Sequence, residues 1–134
     1  MPLSHVIDQN LRVVLCRAWG VVRDEELNEL FVSLRDDPKF DPHFGQLLDL
    51  RSAVLFDVTT VGVMSAARND PFARTSRRAI VVDSEAAFGI GRVYLLSVDA
   101  TSAQACIVRD ASEALDWLGI APETVQPGVL GHRA

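Results

Sequence analysis

The sequence predicts an α/β domain with a mostly parallel mixed sheet of about five strands, opened by an antiparallel hairpin and covered by helices. Two β-rich runs, HVID and LRVVLCRAWG, flank the polar pair Gln9-Asn10, which is typical of a hairpin. Strand and helix patterns alternate after it, which is typical of parallel strands joined by helices. The 134 residues are 49% apolar and 23% charged, the composition of a folded chain with one core.

The elements of the first half follow from periodicity and from breaker residues. Gly20 is predicted to end the hairpin, and Pro38 to close the helix that comes next. Within RDEELNELFVSLRDDP the apolar residues recur at the spacing of an amphipathic helix: Leu27, Leu30, Phe31 and Leu34. The run QLLDL is then predicted as a short strand, and a second helix from Asp57 to about Arg68.

The second half adds two strands and two helices. RAIVVD is a continuous β-branched run, predicted to be a strand covered on both faces, and AQACIVRD is the last strand. Between them a helix is predicted to begin at a capping serine, Ser84, and we interpret Gly89 and Gly91 within it as positions of close approach to the sheet. The final helix is capped by Asp110, with Gly119 at its end.

The chain is predicted to hold one domain, residues 1–119, followed by a loosely docked or mobile tail, residues 120–134, with two Pro and two Gly. No apolar run approaches the roughly 18 residues of a membrane helix. MPLSHVIDQN lacks a basic segment followed by an apolar run, so we expect no transmembrane segment and a cytoplasmic location. Cys16 and Cys106 have no CxxC spacing and are interpreted as buried apolar residues.

Several function classes are disfavoured. A net charge of -5 argues against nucleic-acid binding. His5, His43 and His132 are scattered without a metal-ligand spacing, so we expect neither a metal nor a cofactor. There is no GxSxG elbow, and neither cysteine lies at a predicted helix start. The sequence therefore predicts a protein that is not an enzyme.

One local cluster of arginines stands out against the acidic chain. The segment RNDPFARTSRR carries Pro71 and small polar residues, which predict a loop. Three of its arginines form a candidate anion-binding site for a phosphate or a carboxylate: Arg74, Arg77 and Arg78. The alternative is a solvated loop without a ligand.

Several blocks of the sequence resemble the SpoIIAA-like family within the broader STAS and Sec14-like group. They are the N-terminal hairpin, the strand LLDLRSAVLFD running into a helix, RRAIVVDSEAAFGIGRVY, and VRDASEALDWL. The likeness spans residues 4–119. It implies a STAS-like fold and a small cytoplasmic bacterial protein, in a family whose biochemical role is largely undefined.

The resemblance also implies a regulatory switch. In STAS domains that antagonise anti-sigma factors, an Asp-Leu pair is followed by Asp-Ser-Ser-Gly at a helix start, where a partner kinase phosphorylates a serine. This sequence keeps the spacing with DVTT over residues 57–60, in which Thr59 matches the phosphorylated position. Val58 replaces the other serine and Thr60 the glycine. Asp57, Thr59 and Thr60 are thus candidate partner-binding residues; the alternative is that Asp57 merely caps the helix.

The Sec14-like side of the resemblance implies a second hypothesis, in which an apolar or lipid ligand lies between sheet and helices. Arg78 or Arg92 would hold a polar head group, and the candidate pocket residues are aromatic: Phe56, Phe72, Phe88, Tyr94 and Trp117. Core packing is the alternative role of these aromatic residues. No partner protein can be named from the sequence, and the partner could also be a second copy of the chain.

Overall fold

The computed structural model describes residues 3–98 and 104–124 of the chain. Its strands are β1 (Leu3–Asp8), β2 (Val13–Arg23), β3 (Gly45–Asp57), β4 (Arg78–Val81) and β5 (Ala105–Val108). Its helices are α1 (Asp24–Asp36), α2 (Thr60–Ala67), α3 (Glu85–Ser97), α4 (Ala111–Leu118) and a 3-10 turn over Pro122–Thr124. The described residues contain no helix that is both long and apolar enough to span a membrane.

The strands form one sheet in the order β1-β2-β3-β4-β5. β1 pairs with β2 antiparallel, and each later strand pairs with its neighbour parallel. The predicted α/β fold, with a mostly parallel mixed sheet of five strands that starts in a hairpin, is confirmed.

Two strands are longer than predicted. β2 continues past Gly20, which takes a positive φ of 64° beside a shift in the pairing with β3, so this glycine bends the strand instead of ending it. β3 continues beyond QLLDL to Asp57. Its residues 52–57 pair only with β2, because β4 reaches no further along β3 than Asp49. The two strands therefore extend as a ribbon beyond the rest of the sheet.

Helices cover both faces of the sheet. The face packed against α1, α2 and α3 holds the larger apolar cluster, and the face packed against α4 holds the smaller one. Neighbouring residues of one strand point to opposite faces, so Leu48 joins the larger cluster and Leu47 the smaller one. Ile120, assigned above to the tail, is 8% exposed and belongs to the smaller cluster. Residues 125–134 lie outside the described residues.

Local signals place most helix ends where the sequence predicts them. Ser84 accepts a hydrogen bond from the Ala87 N–H (3.1 Å), Asp110 accepts one from the Glu113 N–H (2.8 Å), and Gly119 ends α4 in the left-handed conformation. The interpretation of the glycines in α3 as positions of close approach to the sheet is wrong for Gly89, which faces open space. Gly91 does lie against the sheet beside Ile80 and Ile107, although a Cβ would still fit there in ordinary contact.

Candidate functional site

The turn over residues 57–60 joins the end of β3 to the start of α2. Thr59 is the N-cap of α2, and its Oγ1 accepts a hydrogen bond from the Gly62 N–H at 2.8 Å. Asp57 is the last residue of β3, and its Oδ2 lies 3.7 Å from Nε of Arg23. The alternative in which Asp57 caps the helix is therefore wrong, because the strand extends to Asp57 and the helix begins only after Thr59.

Asp24, the first residue of α1, reaches across to this turn. Its Oδ1 accepts a hydrogen bond from the Thr59 N–H and its Oδ2 one from the Thr59 hydroxyl, both at 3.0 Å. The carboxylate also lies against Gly62, where an added Cβ would overlap it. A carboxylate is favoured at the amino end of a helix, where N–H groups carry partial positive charge. Asp24 is thus a site residue of the turn that the sequence reasoning missed.

The Thr59 hydroxyl is fully engaged in this arrangement. It donates to Asp24 and accepts from Gly62, although the residue itself is exposed. A phosphate on Oγ1 would remove the O–H donor and add a charge of about -1.5 to -2. That charge would face the Asp24 carboxylate at close range. A modification here would therefore break the link between α1 and α2.

Exposed apolar side chains flank the turn. Val54 is 83% exposed, Leu55 56%, Val61 76% and Met64 45%. We call these four residues the turn surface. Among the described residues, eight large hydrophobic side chains are exposed, and half of them belong to the turn surface. Exposed single apolar residues are ordinary, and four of them within the segments before and after one turn make this region a candidate binding surface.

Asp49, which belongs to the Asp-Leu pair of the resemblance, lies elsewhere. Its carboxylate accepts hydrogen bonds from Arg51 Nε at 3.0 Å and Arg51 Nη2 at 2.9 Å. Both side chains are almost completely buried. The hydrogen bonds to the Asp49 carboxylate raise the pKa of Arg51, and they outweigh burial, which acts in the opposite direction. This pair is a buried part of the sheet and not a part of the turn.

The three arginines predicted to bind an anion do not converge. Arg74 and Arg77 are exposed, but Arg78 is the first residue of β4 and is 3% exposed. The Arg77 guanidinium stacks on Trp117, 4.9 Å from the ring centroid, and its Nη1 donates to the Trp117 carbonyl at 2.5 Å. The structure therefore places Arg74 and Arg77 at the surface and Arg78 in the core.

Arg78 is the centre of a buried polar cluster between the sheet and α3. Its Nη1 lies 2.6 Å from Asp70 Oδ2 and donates to the Tyr94 hydroxyl at 2.9 Å and to Gln46 Oε1 at 3.3 Å. The Tyr94 hydroxyl donates in turn to Gln46 Oε1. Burial raises the pKa of Asp70, with the Arg78 charge acting in the opposite direction, and burial raises the pKa of Tyr94. Tyr94, one of the predicted ligand-pocket residues, therefore uses its hydroxyl within this cluster.

The predicted pocket residues are only partly brought together. Phe56 and Tyr94 line a cavity of about 20 Å³ between the sheet and the helices α1, α2 and α3. Phe88 and Arg92 do not line it; the Arg92 guanidinium instead lies 6.0 Å from the Phe88 ring centroid. A cavity of this size holds about one water molecule, whereas small-molecule sites are typically about 300 to 1,000 Å³.

No cluster of three or more His, Cys, Asp or Glu side chains suited to a metal ion is found in residues 3–98 and 104–124. Burial raises the pKa of both cysteines, for Cys16 from 9.0 to about 12. Neither thiol is in an environment that would make it a nucleophile.

Comparison with known proteins supports the fold. The chain is similar to the crystal structure of an uncharacterized protein of the DUF3478 family from Shewanella loihica PV-4, which has a SpoIIAA-like fold. The two are 18% identical, the match covers 87% of this chain and 93% of that chain, and the TM-score is 0.55. This match confirms the predicted SpoIIAA-like fold. At 18% identity the similarity supports the fold and not a function. Neither a protein-family model nor a curated protein matches the chain.

Proposed function

We propose that this protein is a non-enzymatic interaction module that binds a partner protein in the cytoplasm through the turn surface. The observation that carries the proposal is the exposure of Val54, Leu55, Val61 and Met64 on either side of one turn. Apolar residues that a partner can bury are the main source of binding free energy at protein interfaces. The partner is a protein with a complementary apolar patch.

The contacts of Asp24 give this surface a defined shape before a partner arrives. Its two hydrogen bonds to Thr59 fix the start of α2 relative to the start of α1. A surface that is ordered in advance loses less conformational entropy on binding. Phosphorylation of Thr59 would place two negative groups together and displace the turn. The modification would therefore release the partner, because a surface docked against the turn would meet the new charge and its desolvation cost.

The turn surface can be tested with a double variant, Val54→Ser with Val61→Ser. We expect it to retain the wild-type thermal midpoint within a few degrees, because both side chains are exposed. The measurement is crosslinking and capture from a lysate of the source organism, followed by quantitation of each captured protein. We expect the captured amount of the specific partner to fall by about tenfold or more, because each substitution removes apolar area that the partner would bury.

Leu96→Ser is the matched control, because Leu96 is 71% exposed but lies near the end of α3 and outside the turn surface. It should capture the partner as wild type does. Equal capture by wild type and the double variant would refute the turn surface as the binding site. Self-association is tested in parallel by sedimentation velocity. If wild type forms a dimer and the double variant does not, the partner is a second copy of the chain.

The switch is tested by Thr59→Glu against Thr59→Ser. The serine keeps both hydrogen bonds of the hydroxyl, so we expect binding close to that of wild type. The glutamate brings a second carboxylate to Asp24, and we expect loss of the partner together with about 1 to 2 kcal/mol of stability. Partner capture and urea unfolding are measured on both proteins. Retained binding by folded Thr59→Glu would show that charge at this turn does not regulate the interaction.

Binding of an apolar ligand between sheet and helices remains an alternative proposal. It requires α1, α2 or α3 to move outward, because the cavity beside Phe56 and Tyr94 is about 20 Å³. Native mass spectrometry of freshly purified protein would detect such a ligand as a constant added mass.

A further inference from the structure

A second concave site lies at the other end of the sheet from the Thr59 turn. It has a volume of about 260 Å³ and lies beside Val13 and Gly45, the first residues of β2 and β3. The Thr59 turn follows the carboxyl end of β3, so the two sites are separated by the length of that strand. We propose that this pocket binds an oxyanion, the phosphate or carboxylate group of a small ligand. We call it the amino-end pocket.

The charged side chains that line the amino-end pocket favour an anionic ligand. The ionisable side chains that line the amino-end pocket are Arg12, His43 and Arg77, and no lining residue is a carboxylate. Thr75 adds a hydroxyl. The chain as a whole carries a charge of -5, so a pocket lined by basic groups departs from the average surface. Guanidinium groups match the geometry of phosphate and carboxylate oxygens, with which they form paired hydrogen bonds.

Both arginines are held in place by aromatic rings. The Arg12 guanidinium carbon lies 5.6 Å from the Phe44 ring centroid, and that of Arg77 lies 4.9 Å from the Trp117 ring centroid. Stacking of this kind orients the planar cation while its edge N–H groups stay available. Arg77 uses Nη1 on the Trp117 carbonyl, and a guanidinium has five N–H donors in all. The pocket therefore presents cations that are already oriented.

The backbone at Arg12 supports a role for this side chain. Its φ is 57°, and it is the one non-glycine residue with positive φ in the described part of the chain. That conformation is disfavoured for residues with a Cβ, and glycine or asparagine would adopt it more readily. The carbonyl of Arg12 also accepts a hydrogen bond from the Gly45 N–H at 2.9 Å, which ties the hairpin turn to the start of β3. The turn thus holds Arg12 beside the pocket at a conformational cost.

Asp41 places a carboxylate beside the basic groups of the pocket. Asp41 accepts a hydrogen bond from the His43 N–H at 2.9 Å, and its Oδ1 lies 3.3 Å from His43 Nδ1. That backbone hydrogen bond is the main reason why the pKa of Asp41 is lowered, and the charge of Arg12 adds to it. An incoming anion competes with Asp41 for these groups. We therefore expect binding that is modest in affinity and weakens as salt concentration rises.

The test is a titration with inorganic phosphate and, separately, with succinate, followed by ¹H–¹⁵N spectra that include the arginine Nε–Hε signals. Saturable shifts at Gly45, Thr75 and the Nε–Hε groups of Arg12 and Arg77 are expected with at least one probe. A response to phosphate alone identifies a phosphorylated ligand class, and a response to succinate alone identifies a carboxylate class. Absence of saturable shifts with both probes at low salt would overturn the proposal.

Arg12→Gln and Arg77→Gln should each weaken binding by about tenfold or more, because each removes a charge-assisted contact. Arg74→Gln is the matched control: it changes the net charge by the same amount in the same loop, and Arg74 does not line the pocket. Thr75→Val, at an exposed position, tests the hydroxyl with the stacked arginines left in place. Equal weakening by Arg74→Gln would show general charge attraction and refute a defined site.

Discussion

At Thr59, one hydroxyl group joins two helices by accepting from Gly62 in α2 and donating to Asp24 in α1. Each such bond contributes about 1 kcal/mol to stability, and somewhat more where a charged group takes part. Asp24 lies 35 residues from Thr59 in sequence. The spacing of the DVTT turn could therefore reveal Thr59 but not its partner, because no local pattern encodes a contact of that range.

Arg78 provides a residue-scale prediction of stability. Arg78→Met leaves the buried Asp70 carboxylate without its cation and removes the donor to Tyr94 and Gln46. We expect a loss of about 3 to 5 kcal/mol in urea unfolding, the cost of an unpaired buried charge. The double variant Asp70→Asn with Arg78→Met should recover part of this loss. Arg74→Met, at an exposed position, should change stability by less than about 0.5 kcal/mol.

At the scale of elements, the ribbon formed by the ends of β2 and β3 differs from the rest of the sheet. Residues 46–49 of β3 pair with β2 on one side and β4 on the other, whereas residues 52–57 pair with β2 alone. The exposed Val54 and Leu55 add little packing there. Fewer hydrogen bonds and fewer buried contacts lower the free energy of local opening.

Hydrogen exchange should resolve this difference. The amides of residues 46–49 are expected to exchange only through global unfolding, while those of residues 52–57 exchange through a local opening of lower free energy. The comparison is made by mass spectrometry on overlapping peptides, with the β2 residues that pair with residues 52–57 as an internal check. Equal protection along β3 would show that the ribbon and the sheet form one cooperative unit.

The elements also show where sequence reasoning succeeds and fails. The apolar stripe of α1 and the caps Ser84 and Asp110 are local signals, and the structure confirms them. RSAVLFD, residues 51–57, lacks strict alternation because register shifts in the β2 and β3 pairing change which residues face the core, so the length of β3 was missed. Arg78 belongs both to the predicted loop RNDPFARTSRR and to the predicted strand RAIVVD, and only its partners Asp70 and Tyr94 explain why an arginine is buried there.

For the whole molecule, the proposed binding sites occupy opposite ends of one sheet. The turn surface includes the last part of β3 and the first part of α2, and the amino-end pocket lies beside the first residues of β2 and β3. The buried polar cluster around Arg78 and Tyr94 lies in the core between the sheet and α3. Substitutions in the turn surface should therefore leave oxyanion binding intact, and substitutions in the amino-end pocket should leave partner binding intact, because well-separated sites usually act additively.

Buried ionisable groups also give the whole molecule a pH dependence. Burial raises the pKa of Cys16 from 9.0 to about 12, so the folded state keeps a proton that the unfolded chain releases. The folded state then binds more protons than the unfolded state, and the free energy of unfolding falls as pH rises through this interval. Burial raises the pKa of Tyr94 as well, which adds to the same trend.

The measurement is urea unfolding between about pH 7 and about pH 11 for wild type and Cys16→Ala. The variant is expected to be less stable at neutral pH, because it loses buried volume, but to lose stability less steeply above about pH 9. Parallel curves for the two proteins would show that Cys16 does not hold its proton in the folded state. Tyr94→Phe, measured in the same way, separates the contribution of the phenol.

The order of strands in the sheet follows their order in the chain. Each new strand therefore meets an edge that the preceding segment has already formed, and no completed pair has to separate to admit a later strand. Assembly can proceed from the amino end as the polypeptide leaves the ribosome, with β1 and β2 as the first pair. The hairpin between β1 and β2 closes a short loop, which lowers the entropic cost of the first contacts. We expect refolding to be rapid for a protein with so much parallel sheet.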